Sequence, residues 1–208
     1  MEVAAAYVTA TEGLGVGGDF YDVYRTPGGW GVASGDVCGK GEEAAAVTAA
    51  ARHSIRVLAH STADPAEVLQ RANELMLAEE FGDRFVTAKN AHLRWDGRRL
   101  RVVLGSAGHP GPVLVRPDGR TRILSPGGLP LGLFPTVSAG REELELERGD
   151  VLFFFTDGVT EARSLEMAYF EDRLTDELAA LAGKAPRDIV AGLRSLVVEF
   201  CPTSCGTT

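Results

Sequence analysis

Long apolar runs are missing from this chain. The longest strong one, Val151 to Phe155, is far short of the roughly 20 residues that carry a helix across a bilayer, so no membrane span is expected. The start of the chain lacks a basic segment followed by an apolar one, which argues against a secretory leader. Cysteine is scarce and odd in number: there are three. Cys38 falls in a glycine-rich stretch. Cys201 and Cys205 are four apart with no histidine nearby, which does not fit a zinc knuckle. A reduced, cytoplasmic protein is expected. Positive charge is in deficit, with 21 Lys and Arg against 29 Asp and Glu and a net charge of -8. The arginines are scattered, so a nucleic-acid surface, which needs concentrated positive charge, is not expected. His53, His60 and His92 show no metal-ligand spacing. Repeats, low-complexity tracts and interdomain linkers are also absent, and a single domain over residues 1–208 is expected.

What is present begins with two aspartates. Asp19 sits in Gly17-Gly18-Asp19-Phe20-Tyr21-Asp22, and Asp36 sits in Ser34-Gly35-Asp36-Val37. Between them, two apolar-rich segments flank Thr26-Pro27-Gly28-Gly29, which is turn chemistry. If those four residues form the loop, Arg25 faces Trp30, and the numbers of facing residues sum to 55. Asp19 and Asp36 then face each other across an antiparallel pair, with Cβ atoms roughly 5 Å apart. A bulge or another turn would break that register. Like charges so placed repel unless a cation lies between them, and no Lys or Arg is close in sequence. Hard divalent ions such as Mg²⁺ or Mn²⁺ prefer carboxylate oxygens and answer the need.

Along the rest of the chain, residues 3–10 read as a first strand, with the hairpin at 18–25 and 30–37. Glu42-Glu43 opens a helix running to about His60, its apolar face Ala44, Val47, Ala51, Ile55 and Leu58. Asp64-Pro65 starts a second helix with a stripe of Val68, Leu69, Ala72, Leu75 and Met76. Strands follow at 85–95 and 100–106 across Asp96-Gly97, with Lys89-Asn90 suggesting an edge or a bulge in the first. Further strands fit 112–117 and 120–124, then 142–147 and 151–156, and helices fit 171–182 and 186–199. Short hairpins exclude a doubly wound parallel sheet. The order fits an α+β fold: a β-sandwich of two antiparallel sheets flanked by helices on both faces.

A third acid closes the most apolar strand, in Phe153-Phe154-Phe155-Thr156-Asp157-Gly158. Alone, Asp157-Gly158 reads as a turn. Beside the Asp19/Asp36 pair it reads as a ligand delivered by a rigid strand. Asp22, at an odd offset from Asp19, points to the opposite face of a regular strand and reads as structural or outer-layer. Gly18, Gly158, Glu161 and His109 are further candidates for that outer layer. For Glu161 the competing reading is a solvated helix start, and for His109 a loop hydrogen bond. Lys40 between Gly39 and Gly41 hints at a phosphate cradle, but the spacing of a phosphate-binding P-loop is missing.

Five segments carry a resemblance, in order along the chain: residues 17–22, 34–41, 106–112 (Ser-Ala-Gly-His-Pro-Gly-Pro), 127–132 (Gly-Gly-Leu-Pro-Leu-Gly) and 156–162 (Thr-Asp-Gly-Val-Thr-Glu-Ala). Together they resemble the bacterial metal-dependent (PPM, type-2C-like) serine/threonine phosphatases of the SpoIIE/RsbU subgroup. The resemblance implies two Mn²⁺ or Mg²⁺ ions held by Asp19, Asp36, the carbonyl of Val37 and Asp157. It implies a metal-activated hydroxide that attacks phosphoserine or phosphothreonine directly, the three aspartates acting through that bound water. It implies as substrate a phosphorylated anti-sigma-factor antagonist, in stress-response regulation, with a sensor domain or a regulatory partner open as the means of control; a homodimer is also open. The family pattern closes with another Asp-containing motif and strand, whereas this sequence reads Cys201-Pro202-Thr203-Ser204-Cys205-Gly206-Thr207-Thr208 there. The final Asp-containing strand is therefore expected to be lacking and one metal site weakened. A catalytically weak or inactive binding module is the competing reading. A cyclic-dinucleotide synthase, suggested by Gly17-Gly18-Asp19-Phe20, lacks the Glu of that signature.

Overall fold

The computed structural model describes residues 1–7, 17–79 and 81–201. They fall into two compact units: Gly15–Gly111 with Ser125–Glu147, and Met1–Leu14 with Pro112–Leu124 and Arg148–Thr208. Residues 3–7 are not a strand, because no ladder pairs them, and the remainder of the expected first strand lies outside the described residues.

The first unit is a five-stranded sheet with two helices on one face. Its strands are β1 (Phe20–Thr26), β2 (Gly29–Val37), β3 (Val86–Trp95), β4 (Leu100–Ala107) and, later in the chain, β7 (Gly140–Leu146). Their order is β1-β2-β3-β4-β7, and every ladder is antiparallel. Two helices, α1 (Glu42–Leu58) and α2 (Pro65–Ala78), connect β2 to β3. In α1 the first turn carries Glu42 and Glu43 and the last turn Arg56, which suits the helix dipole at both ends. Its buried residues Ala44, Val47, Ala51, Ile55 and Leu58 are those the spacing predicts. Asp64 caps α2 by accepting from the Ala66 N–H at 3.0 Å, and Pro65 occupies the first turn. Leu75 departs from expectation: it is exposed, and Asn73 takes the buried place. The reason is a polar contact, since Asn73 donates to the Phe134 carbonyl at 3.0 Å and accepts from Gly132 N–H at 2.8 Å. One amide thereby ties α2 to the glycine-rich loop.

The core of this unit is the sheet face formed by Phe20, Tyr24, Ala33, Val37, Val86, Ala88 and Ala107, packed under Val47, Ala51, Ile55, Val68, Leu69 and Ala72. Side chains alternate across a pleated sheet. Asp36, Thr87, Lys89 and Ser106 therefore share the other face. Lys89-Asn90 does not mark an edge or a bulge: β3 is the central strand and its register is unbroken. Both side chains are buried because both are bonded. Asn90 accepts from the Tyr24 hydroxyl at 2.7 Å on the helix side. Lys89 Nζ donates to Ser106 Oγ at 2.6 Å on the other side.

The second unit holds a three-stranded antiparallel sheet in the order β6-β5-β8, built from β5 (Val113–Val115), β6 (Thr121–Ile123) and β8 (Val151–Phe153). Helices α3 (Asp157–Thr160), α4 (Glu171–Ala180) and α5 (Pro186–Phe200) follow. Its core joins Val113 and Val115 to Phe155, Phe170, Leu174, Leu178, Ile189 and Leu193. The last four are two i,i+4 pairs, one on each helix, the spacing that brings residues onto one helical face. Arg116 and the buried carboxylate of Asp150 pair beside the sheet. The two sheets and their helices are the α+β class expected. Among the described residues no helix is long and apolar enough to cross a membrane.

Candidate metal centre

The site begins with the β1–β2 hairpin. Thr26 pairs with Gly29, so the loop is the two residues Pro27 and Gly28 rather than four. The facing numbers still sum to 55, and Phe20 pairs with Gly35. The next positions along the ladder are Asp19 and Asp36. Val37 N–H donates to the Gly18 carbonyl at 3.3 Å, so the two chains stay paired beyond the aspartates. Each carboxylate offers an oxygen within 4.8 Å of the other, and both side chains are half-buried.

Gly18 explains the closeness. A Cβ built there would stand 2.4 Å from the Val37 carbonyl oxygen and 2.6 Å from Asp36 Oδ1. Only a hydrogen fits between the Gly18 backbone and these two oxygens. The same residue meets α1 from above: the Thr48 hydroxyl shares its one hydrogen between the Ala44 carbonyl at 2.8 Å and the Gly18 carbonyl at 3.1 Å. Gly18, Asp19, Asp36 and Val37 are thus gathered in one place by strand register, a side-chain-free α-carbon and one helix contact. Carboxylates with a backbone carbonyl close by suit a hard, oxygen-seeking cation, which would also relieve the repulsion between two like charges at this range. The residues present fit Mn²⁺ or Mg²⁺.

Asp22 lies on the opposite face, as the odd offset requires. Its carboxylate is buried and bonded to Arg56 of α1 at 2.6 Å. Arg56 also lies 5.6 Å from the centroid of the Tyr24 ring. Burial, and behind it the Asp22 charge, pushes the Tyr24 hydroxyl well above its ordinary pKa, so it stays protonated as the donor to Asn90. Asp22 is a structural ion-pair partner and not part of the acidic pair.

His109 is buried, and its Nδ1 lies 2.9 Å from Thr87 Oγ1. Thr87 stands directly opposite Asp36 in the β2–β3 ladder. His109 therefore makes a hydrogen bond from its loop, and its partner neighbours the aspartate. Sequence reasoning missed Thr87. The β1–β2 register is set by a two-residue turn, but the β2–β3 register spans two helices and leaves no local mark.

Lys89 shares the Asp36 face, two residues along β3 from Thr87. Burial drives its pKa down from 10.5 to about 8, opposed by the Glu142 charge. Asp157, Gly158 and Glu161 belong to the second unit. The strand delivering Asp157 was expected to run to its tip, but β8 ends at Phe153, and Asp157 opens the single turn of α3. Its carbonyl accepts from the Glu161 N–H at 2.7 Å. Glu161 is exposed and closes that turn instead of starting a helix. Gly158 is exposed too, with no contact for an added Cβ closer than 3.8 Å.

Phosphoserine phosphatase RsbU of Bacillus subtilis is 26% identical over 201 residues, covering 94% of this chain and 58% of RsbU. The RsbU and RsbW domains of Rv1364c from Mycobacterium tuberculosis superpose with a TM-score of 0.79 at 26% identity, over 92% of this chain and 53% of that one. The PP2C phosphatase domain of SpoIIE from Bacillus subtilis, with a fragment of its regulatory domain, superposes with a TM-score of 0.71 at 16% identity, over 90% of this chain and 55% of that one. The chain spans only a little over half the length of these relatives. The fold is that of the PP2C phosphatases. The family described as Stage II sporulation protein E (SpoIIE) matches residues 26–204, and the chain belongs to it.

Proposed function

We propose that this chain is a metal-dependent protein serine/threonine phosphatase. The observation that carries the reading is the Asp19–Asp36 pair, held within 4.8 Å by strand register in a chain of the SpoIIE family. In the proposed site Asp19 and Asp36 hold divalent cations, the Val37 carbonyl adds a neutral oxygen, and Asp157 supplies a further carboxylate as the family motif implies. Bound there, Mn²⁺ or Mg²⁺ would supply positive charge for phosphoryl oxygens and would acidify a water. The chain's own residues do the holding. Gly18 keeps the Asp36 carboxylate and the Val37 carbonyl clear of side-chain atoms, and Thr48 fixes Gly18 against α1. A phosphate dianion would be repelled by the bare carboxylates, so cations must precede substrate. In this reading the chain's contribution to the barrier would be positioning and charge neutralisation.

The proposed substrate is phosphoserine or phosphothreonine on a regulatory protein, an anti-sigma-factor antagonist. RsbU, named as a phosphoserine phosphatase, and the pairing of RsbU and RsbW domains in Rv1364c support that choice. The test is manganese-dependent release of phosphate from a phosphoserine protein by this chain and by Asp36→Asn. Activity in the wild type that vanishes in the variant supports the reading. Equal release by both overturns the assigned site. Absence of release from a chain that binds manganese points instead to a binding module.

A further inference from the structure

Asp36 needs more than a neighbour to serve as a ligand; its carboxylate plane must be held. A carboxylate oxygen offers its lone pairs in the plane of the group, and rotation about the last bond by a few tens of degrees would turn them away from a cation. The partners that fix ligand orientation are worth about 10–100-fold in metal affinity. On the sheet face that carries Asp36, the residue directly across β2–β3 is Thr87. Side chains so opposed have Cβ atoms about 4.5–5.5 Å apart, within reach of a hydroxyl. Thr87 is itself held. His109 Nδ1 lies 2.9 Å from its Oγ1, and His109 is 4% exposed.

The chain takes some trouble to bring His109 there. β4 ends at Ala107, and Gly108, at φ +74, turns the backbone so that it bridges Ala88 of β3 in parallel. The residue after the turn then drops beside Thr87, the neighbour of Ala88. A non-glycine residue at 108 would be strained in that conformation.

We infer that Thr87 and His109 are a positioning pair: the Thr87 hydroxyl orients the Asp36 carboxylate toward its cation, and His109 aims that hydroxyl. With its hydrogen on Nδ1, the imidazole donates to Thr87 Oγ1. The threonine hydrogen is then directed away from the ring and across the strand pair toward Asp36. Reversing the tautomer would turn the threonine hydrogen onto the ring and remove the donor from the carboxylate. Neither residue touches substrate in this account; both act through Asp36. The inference rests on the metal reading proposed above.

Calorimetric titration of the 208-residue chain with Mn²⁺ tests it, each variant first being shown to melt cooperatively. Thr87→Val keeps the shape and deletes the hydroxyl. Thr87→Ser keeps the hydroxyl and deletes a methyl. His109→Ala removes the ring, and His109→Asn retains a donor near the Nδ1 position. The expected result is a loss of about 10–100-fold in Mn²⁺ affinity for Thr87→Val and His109→Ala, with Thr87→Ser and His109→Asn within about threefold of wild type. The double variant Thr87→Val/His109→Ala should be no weaker than Thr87→Val alone, because both changes break one linkage. Wild-type affinity in a folded Thr87→Val chain overturns the inference and leaves the metal reading standing. Equal losses in Thr87→Ser and Thr87→Val also overturn it, since packing would then be the cause. A wild-type chain that binds no manganese overturns the metal reading, and this inference falls with it.

Discussion

Gly18→Ala puts one methyl group where the aspartates meet. The added carbon would stand 2.4 Å from the Val37 carbonyl oxygen, 2.6 Å from Asp36 Oδ1 and 3.0 Å from Val37 N. Carbon and oxygen normally approach no nearer than roughly 3.3 Å even in a weak hydrogen bond, so the overlap is close to 1 Å. One obstacle is strand backbone and cannot swing aside. The other is the carboxylate. If the strands part, the Val37 N–H to Gly18 carbonyl bond at 3.3 Å is lost along with the Thr48 contact. Overpacking costs about 1–3 kcal/mol and a backbone hydrogen bond about 1 kcal/mol, so the loss is roughly 2–4 kcal/mol. For a chain of this size that lowers the melting temperature by roughly 4–16 °C. If the carboxylate moves instead, Mn²⁺ affinity falls by at least about tenfold while melting changes less. Differential scanning calorimetry and manganese titration together separate the two. Gly158→Ala is the control: its Cβ meets nothing closer than 3.8 Å, so melting should hold or rise slightly. A Gly18→Ala chain with wild-type melting and wild-type affinity would refute the close approach on which the site depends.

Four further outcomes follow from the same geometry. Lys89→Met should stabilise the chain at pH 7 by at most about 3 kcal/mol, because burial holds the native pKa of Lys89 at about 8 instead of 10.5, less whatever is lost when Ser106 Oγ gives up its donor. The native state holds that proton less tightly than the unfolded chain. The cost is therefore full below pH 8 and fades as the pH rises from 8 to 10.5, so chemical denaturation across that window should show the variant's advantage shrinking. Asn73→Ala strands the Gly132 N–H and the Phe134 carbonyl, and should cost about 2–3 kcal/mol in urea unfolding. Arg56→Ala leaves the buried Asp22 carboxylate without its 2.6 Å partner; because Arg56 is itself partly exposed, the expected loss is about 1–3 kcal/mol, largely recovered in Arg56→Ala/Asp22→Asn. Asp22→Asn alone should bind Mn²⁺ like the wild type in calorimetric titration, since its carboxylate faces away from the acidic pair.

What could be read from the residues depended on how local each cause was. The Asp19–Asp36 register was legible because Pro27-Gly28 sets it within a few residues, and a turn of two or of four leaves the same pairs facing. The ends of α2 were legible because Asp64 and Pro65 act on the helix they begin. Asp22 was placed on the correct face by pleat alternation alone. Lys89 and Asn90 misled, since buried polar residues in a central strand are explained only by distant partners, Ser106 and Tyr24. Thr87 and His109 went unjoined for the same reason: the strand that unites them is fixed by burial across two helices. Asp157 was assigned to a strand tip because three phenylalanines favour extended structure, yet the ladder to β5 ends at Phe153.

The strands β7 and β8 are separated by only Glu147 to Asp150, yet they serve different sheets. Neither unit is therefore contiguous in sequence, and no single cut releases one intact. During synthesis β4 emerges with its outer row of amides unmatched until residue 146 has left the ribosome. An exposed row of that kind invites pairing with another copy. Truncation anywhere before Gly140 should accordingly yield aggregates in place of a smaller soluble fragment, and the position of a nonsense codon would decide between loss of the protein and its precipitation.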